Sequence, residues 1–258
     1  MKVNYVAVLE FLWDMFETFS RRDCGLILIG YRPLPSEAAL SRTLRRLEQK
    51  GLIERIGTGA AARFRLSPQA TQRHARHHPE QQWNQGWDGK WRAVCYDLPE
   101  SQRKVRFALW QALRMRKLGL LQRSVWVWPH DLEPTLQEVI ASTGAPECFI
   151  GFEVGKLFLA SDAEVVSTAW DWEEIGRRQH GYLKHPAADA VEGKSVRTLA
   201  ELAGLARRER DAYQWALRLD PLLPRALWPA DYVGAEVAAR HQTFIRTLRQ
   251  RWQQLAGS

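Results

Sequence analysis

Arg42, Arg45 and Arg46, with Lys50 close behind, stand in the segment SEAALSRTLRRLEQK that runs from Ser36 to Lys50. A guanidinium is a planar fork of N–H donors. It matches O6 and N7 of guanine as well as the oxygens of a phosphate, so arginines at this spacing point to recognition of a polyanion. A second basic run follows in AARFRLS, where Arg63 and Arg65 alternate with Phe64 and Leu66. Between Tyr31 and His78, nine arginines and Lys50 face only Glu37, Glu48 and Glu54, which accounts for nearly all of the net charge of +8. A field of one sign, concentrated in one segment, favours nucleic acid as partner.

Other chemistry-bearing residues assemble no site by spacing. Cys24, Cys95 and Cys148 are odd in number and far apart, which argues against a disulfide frame and for a reducing, cytoplasmic compartment. His74, His77 and His78 crowd together without a cysteine or carboxylate at ligand spacing, so no metal is expected there. No nucleophile elbow surrounds a serine and no glycine-rich phosphate loop is present. The chain therefore reads as a non-enzyme without a cofactor. Its longest apolar run, around Leu26–Ile29, is too short for a membrane span, and no secretory signal is expected.

For the arginines to act together, one element must present them on one face. At about 100° per residue, Leu40, Leu44 and Leu47 form one stripe of a helix, while Ala38, Arg42, Arg45 and Gln49 fall opposite with Arg46 beside them. Ser36 suits the N-cap, Glu37 the first turn and Gly51 the exit. Leu52–Ile56 and Ala62–Leu66 read as strands around the turn Gly57-Thr58-Gly59-Ala60. A helix with a polar outer face followed by a basic hairpin is the layout of a winged helix-turn-helix. Tyr5–Phe19 would supply its first helix and Leu26–Gly30 a short second one. The expected DNA-facing set is Ser36, Ala38, Ala39, Arg42, Arg45, Arg46, Gln49 and Lys50 on the helix, with Thr58, Arg63 and Arg65 on the hairpin. Arg42 and Arg45 are the candidates for base edges, while Arg46, Lys50, Arg63 and Arg65 are candidates for phosphate.

Beyond Ser67 the composition turns polar as far as Gly86 and reads mainly as a connector. Strands at Trp91–Tyr96, Ser124–Trp128, Cys148–Phe152 and Leu157–Ala160, with helices at Glu100–Leu118 and Leu132–Ser142, run β-α-β-α-β-β along the chain and are read as a ferredoxin-like domain, whose own order is β-α-β-β-α-β. Twelve tryptophans read as packing surfaces more than as a ligand cage.

The stretches WDGKWRAVCYDLPE (Trp87–Glu100) and VWVWPHD (Val125–Asp131) resemble the central domain of the PaaX-type repressors of phenylacetic-acid catabolism. AWDWEEIGRRQHGYL (Ala169–Leu183) and DPLLPRALWPADYVGAEV (Asp220–Val237) resemble the C-terminal domain of the same family. The resemblance implies an α+β chain in four parts: a winged helix-turn-helix over 1–70, a linker over 71–87, a ferredoxin-like βαββαβ domain over 88–163 and a helical domain over 164–258. It further implies a homodimeric repressor on a palindrome-like operator of double-stranded DNA, with an aryl-acyl-coenzyme A thioester as releasing effector. Where the family carries a His-Glu-Tyr-Arg-Arg-like run, this chain has Asp211-Ala212-Tyr213-Gln214-Trp215, which keeps the tyrosine and lacks the basic pair. The central domain is also similar in fold to the small CRISPR-associated integration subunit, which implies an alternative: metal-dependent nuclease chemistry at Asp97. Against that, Asp97 reads as the cap of the helix that follows it.

Overall fold

The computed structural model describes residues 12, 14–29, 37–144, 149–191 and 196–256. Leu12, Asp14 and Met15 are helical. After them come β1 (Phe19–Ser20), α1 (Arg21–Ile29), α2 (Glu37–Gln49), β2 (Ile53–Ile56), β3 (Arg63–Leu66), α3 (Pro68–His77) and α4 (Pro79–Trp83). Then follow β4 (Trp91–Tyr96), α5 (Arg103–Met115), β5 (Gly119–Gln122), β6 (Val125–Trp128), α6 (Glu133–Thr143) and β7 (Phe149–Val154). The remaining helices are α7 (Asp162–Ala169), α8 (Trp172–Leu183), α9 (Ala187–Ala190), α10 (Leu199–Leu217) and α11 (Gly234–Ala256). The chain is thus α+β with two antiparallel sheets. None of the described helices is long and apolar enough to cross a membrane. Two units emerge: one from residues 1–81, 181–215 and 235–258, the other from 82–180 and 216–234.

In the first unit, local capping sets most boundaries. Ser20 and Asp23 form a reciprocal cap at the start of α1: Ser20 N donates to Asp23 Oδ2 at 2.8 Å, and Asp23 N donates to Ser20 Oγ at 3.1 Å. Helix α2 ends in a Schellman motif, with Gly51 N donating to Glu48 O and Leu52 N to Leu47 O, and with Gly51 at φ +64°. Strands β1, β3 and β2 form a small sheet in that order, and Phe19 stacks on its ladder partner Phe64 at 5.8 Å. Leu12, Leu44, Leu47 and Phe64 share one core with Leu202 and Leu205 of α10 and with Phe244, Leu248 and Trp252 of α11. Within those helices a buried carboxylate, Glu209, accepts from the Tyr182 hydroxyl and lies 2.8 Å from His241 Nδ1, while the Tyr213 ring stacks on His241 at 3.8 Å. Burial and the neighbouring Glu209 push the Tyr182 phenol well above its ordinary range.

The second unit is built on a four-stranded antiparallel sheet of order β5-β6-β4-β7. With α5 and α6 in the crossovers, this is the ferredoxin-like arrangement. One core contains Val94, Tyr96 and Trp126 with Leu109, Leu113 and Val139 of the two helices. A second contains Trp91 and Val127 with Val165, Val166, Trp170, Ile175 and Leu227. Asp220, fully buried, anchors the loop before α11: it accepts from Gln179 Nε2 at 2.8 Å, Tyr232 Oη at 2.7 Å and Leu222 N at 2.8 Å.

Several elements differ from the sequence expectation. The polar stretch after Ser67 is helical through α3 and α4, because Ser67 caps α3 by accepting from Ala70 N at 3.1 Å and Pro68 opens the helix. Phe19 lies in a strand, not a helix, drawn there by pairing with Phe64. No strand forms over 157–160, since Leu159 sits at φ +59°, outside the extended region. Strand β5, unexpected from sequence, occupies 119–122. The expected helix over Tyr5–Phe19 falls mostly outside the described residues, as do Gly30 and Cys148.

Candidate nucleic-acid interface

The arginine helix is held from behind. Leu44 and Leu47 are 1% and 3% exposed, and Leu40 packs beside them. Seated by its leucines, α2 turns its other side to solvent. Ala38, Arg42, Arg45, Arg46, Gln49 and Lys50 are all exposed. The side chains of Arg42, Arg45 and Lys50 make no hydrogen bond or ion pair among the described residues, so their guanidinium and ammonium donors are unspent. Ser36 lies outside the described residues; Ala39 lies within α2.

The hairpin is tied to this helix. Arg55 on β2 grips Glu48 of α2 with both arms of its fork, at 2.9 Å each, and sits 5.4 Å from the Phe64 ring centroid. Ser67 closes the hairpin, with Oγ donating to Gly51 O at 2.6 Å and N donating to Leu52 O at 3.0 Å. Thr58 stands exposed in the turn between Gly57 and Gly59, both at positive φ. Arg63 and Arg65 are exposed as expected, but each already has a partner. Arg63 donates to Thr18 Oγ1 at 2.9 Å and Thr18 O at 2.7 Å, and Arg65 pairs with Glu54 at 2.8 Å. Their guanidinium donors are partly spent on fixing the sheet, whereas those of Arg42 and Arg45 are not.

Two cations that sequence reasoning left out stand near this edge. Arg21 and Arg22 are exposed at the start of α1, directly after Ser20, whose ladder partner is Arg63. The signal was available: Ser20 and Asp23 bracket the arginine pair as a cap.

The alternative centre pairs Asp97 of two copies in a dimer, and within one chain the described residues add no further ligands to it. Asp97 is exposed, and no group of three or more metal-ligating side chains occurs among the described residues. Nor does Asp97 cap a helix. A short 3₁₀ turn over Glu100–Gln102 intervenes, and Gln102 stands at the N-cap of α5 without a side-chain cap bond.

Residues 84–166 match the family of the PaaX protein central Cas2-like domain. The resemblance read from Trp87–Glu100 and Val125–Asp131 is therefore borne out over the domain that contains them. No curated protein matches the chain. Among solved structures, an uncharacterised protein, Rv0674 from Mycobacterium tuberculosis, is similar with a TM-score of 0.58 and 19% identity over 92% of each chain. At that identity the likeness shows a shared fold.

Proposed function

We propose that this chain, whose central domain is that of the PaaX proteins, is a DNA-binding transcriptional regulator that acts as a repressor. In this reading residues 1–70 work as a winged helix-turn-helix: α2 enters the major groove of duplex DNA and the β2–β3 hairpin lies along the flanking backbone. The reading rests on one observation: an exposed α2 face whose Arg42 and Arg45 have no partner among the described residues, beside the small side chain of Ala38. Small residues at the leading end let a helix approach base edges closely, and unspent guanidinium forks suit guanine. A homodimer places two such helices on the half-sites of a palindrome-like operator, one helical turn apart.

A gel shift on genomic fragments, run with magnesium or with chelator, tests this. The expected result is a discrete duplex complex whose affinity falls with salt, with a log–log slope on the order of −5 for six phosphate contacts. Arg42→Ala with Arg45→Ala should abolish the specific complex. Magnesium-dependent cleavage that disappears in Asp97→Asn would replace the regulator with a nuclease. An aryl-acyl-coenzyme A thioester added to the preformed complex tests the releasing effector that the resemblance implies. A ligand releases DNA only if it prefers the DNA-free arrangement.

A further inference from the structure

The second unit contains a cavity of about 300 Å³ whose polar groups are short of acceptors. Arg114 of α5, Lys117 just after it, Leu120 of β5, Trp126 of β6, Trp170 and Ile175 contribute to its lining. Three of these side chains carry unspent donors. The Lys117 ammonium has three N–H groups and gives one described bond, to Leu217 O at 3.0 Å. The Arg114 guanidinium makes no hydrogen bond or ion pair among the described residues; it lies 5.0 Å from the Trp110 ring centroid. The Trp126 side chain is 1% exposed, and its indole N–H has no acceptor among the described residues. The carboxylate on the lining, Asp171, is already engaged, accepting from Glu174 N at 3.0 Å.

The backbone around the cavity is committed as well. Lys117 holds φ +65°, a left-handed conformation that a non-glycine residue keeps only where its surroundings enforce it. Its carbonyl accepts from Trp170 Nε1 at 2.9 Å, which fixes that ring as a wall. Gly119 leaves the room the ring needs, since a Cβ there would stand 2.6 Å from it. Burial lowers the Lys117 pKa, and the charge of Asp220 acts against that shift.

We infer that this cavity binds a small organic carboxylate. The carboxylate group offers about four lone-pair sites, which the Lys117, Arg114 and Trp126 donors can fill. Its apolar body lies against Leu120, Trp170 and Ile175. The volume is at the small end for ligand pockets, so the ligand carries a single ring or a short chain.

The test titrates the full chain, without DNA, with benzoate and hexanoate and with their neutral counterparts benzamide and hexanamide, read by calorimetry. The carboxylates are expected to bind with dissociation constants below about 1 mM. The amides should bind at least about tenfold more weakly, because they lack the charge that strengthens each hydrogen bond. Lys117→Met should reduce carboxylate affinity by about tenfold and leave the amides unchanged. Leu120→Trp should fill the cavity and abolish binding in a protein that still melts cooperatively. Equal binding of acids and amides, or no heat up to about 10 mM ligand, overturns the inference without any variant. Binding indifferent to both substitutions, in variants that melt as the parent does, overturns it too. Because no DNA is present, this site and the DNA-binding reading stand or fall separately.

Discussion

An arginine already held by a carboxylate and an arginine whose side chain has no partner among the described residues do different work, although they read alike in a sequence. Arg65 belongs to the first kind through Glu54, and Arg42 and Arg45 to the second. Arg42→Ala and Arg45→Ala should each weaken duplex binding by about 1–3 kcal/mol if they read bases. Arg65→Ala should change it by about 1 kcal/mol or less, since an exposed pair of this kind contributes little in either state. Fluorescence anisotropy on one labelled duplex at fixed salt separates the two groups. Cys24 illustrates how far surroundings alter a side chain. Burial, reinforced by the neighbouring Asp23, pushes its thiol up to about 12. It stays protonated at neutral pH, and the thiolate is the reactive form. Labelling with a thiol reagent near pH 8 should therefore spare Cys24 in the folded protein and reach it in urea, as peptide mapping would show.

At the scale of elements, close packing makes two glycines respond in opposite ways. Gly119 on β5 has the Trp170 ring and Ala169 where a Cβ would go, so Gly119→Ala should destabilise the second unit by about 1–3 kcal/mol. Gly176 lies within α8 with nothing within 4 Å of such an atom, so Gly176→Ala should stabilise it by about 0.5–1 kcal/mol. Urea melts of the two variants check the contrast. Periodicity made α2, the β2–β3 hairpin, β4, β6, α5 and α6 legible, because each has a strong apolar stripe or alternation of its own. It failed where partners decide. Strand β1 exists through two ladder pairs with β3, and α3 starts where the Ser67 cap and Pro68 open it. The outward face of α2 could be read from the leucine spacing. That Arg63 would be spent on Thr18 could not, because Thr18 is 45 residues away along the chain.

Across the whole molecule, the first unit is discontinuous: its core joins Leu44 and Phe64 to Leu202, Leu205 and Phe244, and Arg249 Nε donates to Asp14 O at 2.5 Å. A fragment ending at residue 81 lacks α10 and α11, so its leucine stripe meets water. Such a fragment should show no cooperative thermal transition by circular dichroism, while the intact chain does; a sharp transition in the fragment would mean that the small sheet and its helices suffice. The same discontinuity orders events on the ribosome. The core of Val94, Leu109, Trp126 and Val139 lies wholly within residues 82–180, so it emerges and can collapse while the arginine-bearing segment is still waiting for α10 and α11 to be synthesised. A nascent chain therefore gains its basic helix in finished form only after α10 and α11 have been made, and premature stops in α10 should yield products that proteases clear, not partial binders of DNA.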